Sequence, residues 1–239
     1  MLSTAGVVRA VARTLLAQRN ASQQQQPQPP IVIDPVCVST SGHTLLEHEA
    51  IGALIEELFP LAAVLTPNID EAVLLLRRMK PQLQHQEPAS ILSIGDMVRI
   101  ACELRCALGG GAVLLKGGHV PRGSVKLADV VTASAETGTT GGAAVYRIRG
   151  IECEGMVQRP DADVEILLRA ARANPHASGS VEAALDGSVV VDVLCELEDG
   201  ECVCTLFVRQ YLDSSSTHGT GCTLSAALAC ALANGEPRE

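Results

Sequence analysis

Two glycines two residues apart stand directly before a helical pattern in Thr217-His218-Gly219-Thr220-Gly221-Cys222-Thr223. Glycine lets the backbone turn sharply, so that successive N–H groups can point at one anion. The helix that follows adds the positive end of its dipole at the same place. Such a nest suits a transferring phosphate, whose charge must meet donors already in position. Cys222 falls at the helix start, where positive potential favours a thiolate. A thiolate there can accept a proton from an attacking hydroxyl. The same residues would also serve as a glycine-rich cap with Cys222 as packing, and the local motif leaves both readings open.

Further groups sit where an open α/β sheet gathers its ligands, at the C-terminal ends of strands. In Thr66-Pro67-Asn68-Ile69-Asp70-Glu71, Asn68 and Glu71 are three apart and can share one helical face. An amide and a carboxylate suit Mg²⁺ held through waters beside nucleotide phosphates. Asn68 as N-cap with Glu71 at the third helical position equally reads as a capping box, which is the stronger local reading. Lys116-Gly117-Gly118-His119 follows an apolar strand, and Lys116 there can reach a phosphate. Asp34 of Asp34-Pro35-Val36 offers a carboxylate for a metal or a proton relay. No G-x-x-x-x-G-K-[ST] run exists, which excludes a P-loop kinase. His43 and His48 do not form an H-E-x-x-H metal helix and read as surface residues.

The elements that must hold these groups alternate along the chain. Helical spacing predicts helices over 7–18, 49–58, 70–79, 96–108 and 223–233, the last ending at Asn234-Gly235. Short apolar runs at 31–33, 62–65 and 112–115 read as strands buried in a parallel sheet. Residues 189–197 and 203–208 read as antiparallel strands joined across Glu198-Asp199-Gly200. The alternation predicts an α/β fold with a mostly parallel central sheet. Two stretches interrupt it, a Gln/Pro tract within 21–30 and a Gly/Ala/Ser/Thr-rich stretch over 120–188. Both read as flexible insertions, the second carrying a helical patch at 163–173.

Composition narrows the function classes. The 239 residues carry a formal charge of −9 and only 2% aromatic side chains, which argues against nucleic acid as a partner. Apolar runs are too short to span a membrane. Nine cysteines include no C-x-x-C pair, so reduced cytosolic thiols are expected rather than zinc or a disulfide framework. Residues 1–20 carry Arg9, Arg13 and Arg19 with no acid. That is the composition of a mitochondrial transit peptide, in competition with an ordinary helix of the fold.

Taken in order, Asp34-Pro35-Val36-Cys37-Val38 through Ser41-Gly42, Leu65-Thr66-Pro67-Asn68 with Glu71-Ala72, Leu115-Lys116-Gly117-Gly118-His119, and Ser216 to Ala227 resemble the hydroxymethylpyrimidine/phosphomethylpyrimidine kinases of thiamine biosynthesis. The resemblance implies a ribokinase-like three-layer α/β/α fold. It implies transfer of phosphate from ATP, with Mg²⁺, to a pyrimidine alcohol and then to its monophosphate. By that resemblance Gly219, Thr220 and Gly221 form the anion hole and Cys222 is the base. Asn68 and Glu71 are the Mg²⁺/phosphate pair, joined by Asp34 as a metal carboxylate. Lys116, Asn68 and Thr217 meet the nucleotide, and Val36 and Met1 meet the substrate. Ribokinases and most pyridoxal kinases place aspartate where Cys222 stands, so the cysteine favours the pyrimidine branch. Met1-Leu2 matches the family's mid-domain Met-Leu, which makes 7–18 an internal helix. It also implies that the leading strands, the substrate loop and the closing helices are missing from the chain. A non-catalytic remnant and a pyridoxal kinase-like enzyme are the competing readings. Expected partners are the pyrimidine and ATP, with a homodimer admitted, and neither nucleic acid nor membrane.

Overall fold

The computed structural model describes residues 2–22, 28–37, 45–80, 94–118, 144–151, 164–167, 189–210 and 219–234. Its first helix, α1 (Ala5–Ser22), turns Ala5, Val8 and Ala12 into the core, with Val8 fully buried. This spacing puts small apolar groups on one helical stripe. Arg9 Nε meets Glu57 Oε1 at 2.8 Å, and Arg19 Nη2 donates to the Leu61 carbonyl at 2.8 Å. The transit-peptide composition therefore belongs to a helix of the core: its arginines face the rim and its small residues face inward. Within the Gln/Pro tract, Gln28 Nε2 donates back to the Arg19 carbonyl at 3.3 Å.

Strand β1 (Val32–Ile33) leads to helix α2 (His48–Ala53). That helix runs on as a widened turn over Leu54–Leu58 and a tight turn over Phe59–Leu61, where Pro60 stands in the first turn. Strand β2 (Val64–Leu65) follows, then α3 (Ile69–Met79), α4 (Ile94–Leu108) and β3 (Ala112–Leu115). The remaining elements are β4 (Ala144–Ile151), β5 (Val164–Leu167), β6 (Val189–Glu198), β7 (Glu201–Gln210) and α5 (Thr220–Ala233).

The described strands form one seven-stranded sheet in the order β1-β2-β3-β6-β7-β4-β5. Pairing is parallel from β1 to β3 and antiparallel from β3 onward. Strands β1, β2, β3, β7 and β5 thus point one way, and β6 and β4 the other. Alternate side chains divide the core between two faces. Val113, Leu115, Val191, Val193 and Cys195 pack beneath α1 to α4. Ala112, Leu114 and Leu194 turn to the opposite face, where Leu224, Leu228 and Leu232 of α5 cover them. The result is three layers, α/β/α.

The 120–188 stretch departs from its expected reading at two places. It supplies β4, paired with β7, and β5, paired with β4, so the expected helical patch at 163–173 holds a strand at Val164–Leu167. A ladder offered by a neighbouring strand outweighs the weak helical preference of a short apolar run. Residues 1, 23–27, 38–44, 81–93, 119–143, 152–163, 168–188, 211–218 and 235–239 lie outside the described set.

Candidate active site

Three side chains reach the site because three parallel strands end side by side. Ile33 pairs with Leu65, and Leu65 with Val113, and the residues that follow the strands are Asp34, Thr66 and Lys116. Lys116 Nζ donates to Asp34 Oδ1 at 2.8 Å, both side chains being 15% exposed. Thr66 Oγ1 lies 3.3 Å from the same carboxylate oxygen and 2.8 Å from Ser225 Oγ on α5. Ser225 donates to the Gly221 carbonyl at 3.0 Å. A hydroxyl has one proton, so Thr66 donates to Ser225 and the Asp34 oxygen is left to the lysine. This chain of bonds ties the sheet end to the first turn of α5.

The start of α5 is shaped by Gly219, whose φ of 82° and ψ of −8° lie in the left-handed region. Only glycine adopts that conformation at little cost. A Cβ on Gly221 would stand 3.1 Å from Lys116 Nζ. The ammonium and the amino end of the helix therefore lie against each other, two positive ends facing one space. Gly219, Thr220 and Cys222 are exposed there, and Cys222 carries a free thiol. That thiol is open to a molecule entering the space.

Asn68 and Glu71 form the capping box read from their spacing. Asn68 Oδ1 accepts the Glu71 N–H at 2.8 Å, and Glu71 Oε2 accepts the Asn68 N–H at 2.9 Å. Glu71 Oε1 also accepts the Cys37 N–H at 3.3 Å. The carboxyl is 3% exposed. Burial pushes its pKa up to about 6, and the Asp34 charge adds to the rise. Its backbone donors and Lys116 pull the other way. Cys37 next to it is pushed up to about 12, first by burial and then by the charges of Glu71 and Asp34, so it stays a neutral thiol. Two carboxylates offering oxygen donors side by side fit a hard divalent cation such as Mg²⁺.

Val36 is half-buried beside this group, its N–H donating to the Asp34 carbonyl at 2.9 Å. The structure thus joins Asp34 to Lys116 and sets Lys116 against Gly221, with Asn68 and Glu71 one step behind and Val36 beside them. Met1 and Thr217 lie outside the described residues. Two contributors escaped the sequence reading. One is Ser225. The other is Asp192, 6% exposed on β6, whose Oδ1 accepts the Gly117 N–H at 2.9 Å. A Cβ on Gly117 would overlap the Val191 carbonyl, so the turn after Lys116 needs both the glycine and the aspartate. The available signal was a lone acid inside the apolar run Val189-Val190-Val191-Asp192-Val193-Leu194.

The sequence pattern of the phosphomethylpyrimidine kinase family matches residues 1–153 and 167–239. A hydroxymethylpyrimidine/phosphomethylpyrimidine kinase of Rhizobium meliloti is 30% identical over 208 residues, 86% of this chain and 47% of that protein. Among solved structures, pyridoxal kinase of Bacillus subtilis in complex with ADP aligns with a TM-score of 0.54 at 23% identity, covering 100% of this chain and 55% of the other. A phosphomethylpyrimidine kinase of Clostridium difficile aligns with a TM-score of 0.50 at 24% identity, covering 99% and 59%. The chain spans about half the length of these relatives, and the α/β/α fold is the one they share.

Proposed function

Because the chain belongs to the phosphomethylpyrimidine kinase family, we propose that its site serves phosphoryl transfer from ATP to a hydroxymethylpyrimidine and then to its monophosphate, in the cytosol. The observation that carries the reading is the contact of Lys116 with Gly221 at the start of α5. It assembles an ammonium, a helix dipole and an exposed thiol around one space, as transfer of an anionic group requires.

In this reading the N–H groups of Gly219, Thr220 and Gly221 receive the transferring phosphoryl, and Lys116 meets the nucleotide phosphates. Cys222 takes the proton of the substrate hydroxyl while that oxygen bonds to the γ-phosphorus. The bond from the γ-phosphorus to the bridging oxygen breaks, and ADP leaves with the electron pair. The amide oxygen of Asn68 is committed to the α3 cap, which leaves its NH₂ donors for a phosphate. Asp34 and Glu71 would hold Mg²⁺, which when bound supplies charge neutralisation at the phosphates. Thr217, Val36 and Met1 complete the proposed nucleotide and pyrimidine contacts.

Cys222→Ala tests the assignment of the base. General-base loss removes about 10²–10⁴ of the rate, while an exposed thiol contributes little to stability. The expected result is therefore lost turnover with an unchanged melting temperature. Full turnover in the variant would show that another group takes the proton. Competition between the pyrimidine alcohol and pyridoxal in the same assay tests the substrate class, and preference for pyridoxal would overturn it.

A further inference from the structure

Within the main core, three cysteines from three elements converge. Cys102 lies on α4, while Cys195 and Cys204 are direct cross-strand partners on β6 and β7. All three are buried, and their Sγ atoms lie within 4.8 Å of one another. Cys102 Sγ stands 3.4 Å from Cys204 Sγ and 3.7 Å from Cys195 Sγ. A buried free cysteine by itself behaves as a small hydrophobe. Three aimed at one point by a helix and two strands are a different matter, because sulfur is the donor of choice for soft cations.

We propose that Cys102, Cys195 and Cys204 form a buried thiolate site for a soft, closed-shell cation, Cu(I) or Zn(II). The dimensions suit one. A cation about 2.3 Å from each of three sulfurs needs sulfur–sulfur edges of about 4.0 Å, within the range the triangle spans. The donor set is all sulfur, which disfavours Mg²⁺ and Ca²⁺. On binding, three S–H bonds give way to three metal–sulfur bonds and the protons leave to solvent; no electron is transferred.

A second observation supports a charged occupant. Three thiolates around a monovalent or divalent cation carry net negative charge, which a core tolerates only beside a compensating cation. Arg105, one helical turn after Cys102, has its Nε buried with no hydrogen-bond partner among the described residues. Its charge acts on the thiol of Cys202, two residues before Cys204 on the same strand face. The Arg105 guanidinium, near the cluster, is a counter-charge of the kind such a site requires. Cys106, the residue after Arg105, is disulfide-bonded, contrary to the expectation of reduced thiols throughout, and its sulfur lies 3.6 Å from the free thiol of Cys202.

The test uses the whole 239-residue chain, prepared anaerobically and loaded separately with Zn²⁺ alone and with a Cu(I) acetonitrile salt alone. After competition with a chelator, elemental analysis should find one ion per chain in one of the two samples, which identifies the cation. X-ray absorption at that metal's edge should give a first shell of three sulfurs at about 2.3 Å. No retained metal in either sample, or a shell containing nitrogen or oxygen, would overturn the proposal. Cys102→Ala or Cys204→Val should weaken retention more than about tenfold, while Cys230→Ser on exposed α5 should leave it unchanged. Equal retention in all three variants would also overturn it. Where a core variant does not fold, the absorption shell of the unsubstituted chain decides.

Discussion

Glu71 is the residue whose setting makes the sharpest claim. Its carboxyl titrates at about 6 in the folded chain against an ordinary 4.5, so the fold binds a proton that the unfolded chain has already released. Between those two values the native state holds more protons, and stability falls as pH rises through the window. A shift of this size corresponds to roughly 2 kcal/mol. Glu71→Gln keeps an oxygen for the capping box and removes the titration. Urea titrations at pH 4.5 and pH 7 should show the variant gaining on the unsubstituted chain by about that amount at the higher pH. A pH-independent difference between the two would sink the account. The pairing of Asn68 with Glu71 was legible from their spacing. The burial that shifts the carboxyl was not, because it is a product of tertiary packing, in which Glu71 meets Cys37 from more than thirty residues earlier in the chain.

At the scale of elements, the end of β3 depends on β6. Asp192 holds the Gly117 N–H, and the Val191 carbonyl occupies the space a side chain on Gly117 would need. Asp192→Ala leaves a buried donor unsatisfied, a loss of about 1–3 kcal/mol. Because the freed turn carries Lys116, the Michaelis constant for ATP should rise as well. Chemical denaturation and nucleotide titration check the two effects, and a stability loss without any change in ATP affinity would separate Asp192 from the site. The β6–β7 hairpin was readable as a hairpin, although its strands reach Glu198 and begin again at Glu201, closer to the turn than expected. Asp199 and Gly200 take φ of 51° and 86° in a two-residue turn, the conformation that Asp-Gly favours. Strands β4 and β5 were not readable, since nothing local distinguishes Ala144–Ile151 from loop until β7 offers its free edge.

Across the whole molecule, α1 is the element whose standing composition alone left undecided. Val8 is completely buried in the main cluster. Val8→Asp would bury an unpaired charge and should cost several kcal/mol, measured as a large fall in the urea midpoint. No fall would mean that α1 folds apart from the core. The layer arrangement was legible because short apolar strands and amphipathic helices alternate, and the strand ends that form the site follow from it. The change from parallel to antiparallel pairing at β3 has a consequence in time as well as in space. A two-residue turn lets β6 and β7 zip within about 1–10 μs. Strands β1, β2 and β3 meet only after the chain closes over residues 34–63 and 66–111, and such non-local closure is slow. In refolding followed by pulsed hydrogen exchange, amides of β6 and β7 should gain protection before those of Thr66 and Lys116. The strand ends that gather around the phosphate space are then among the last parts of the sheet to exist.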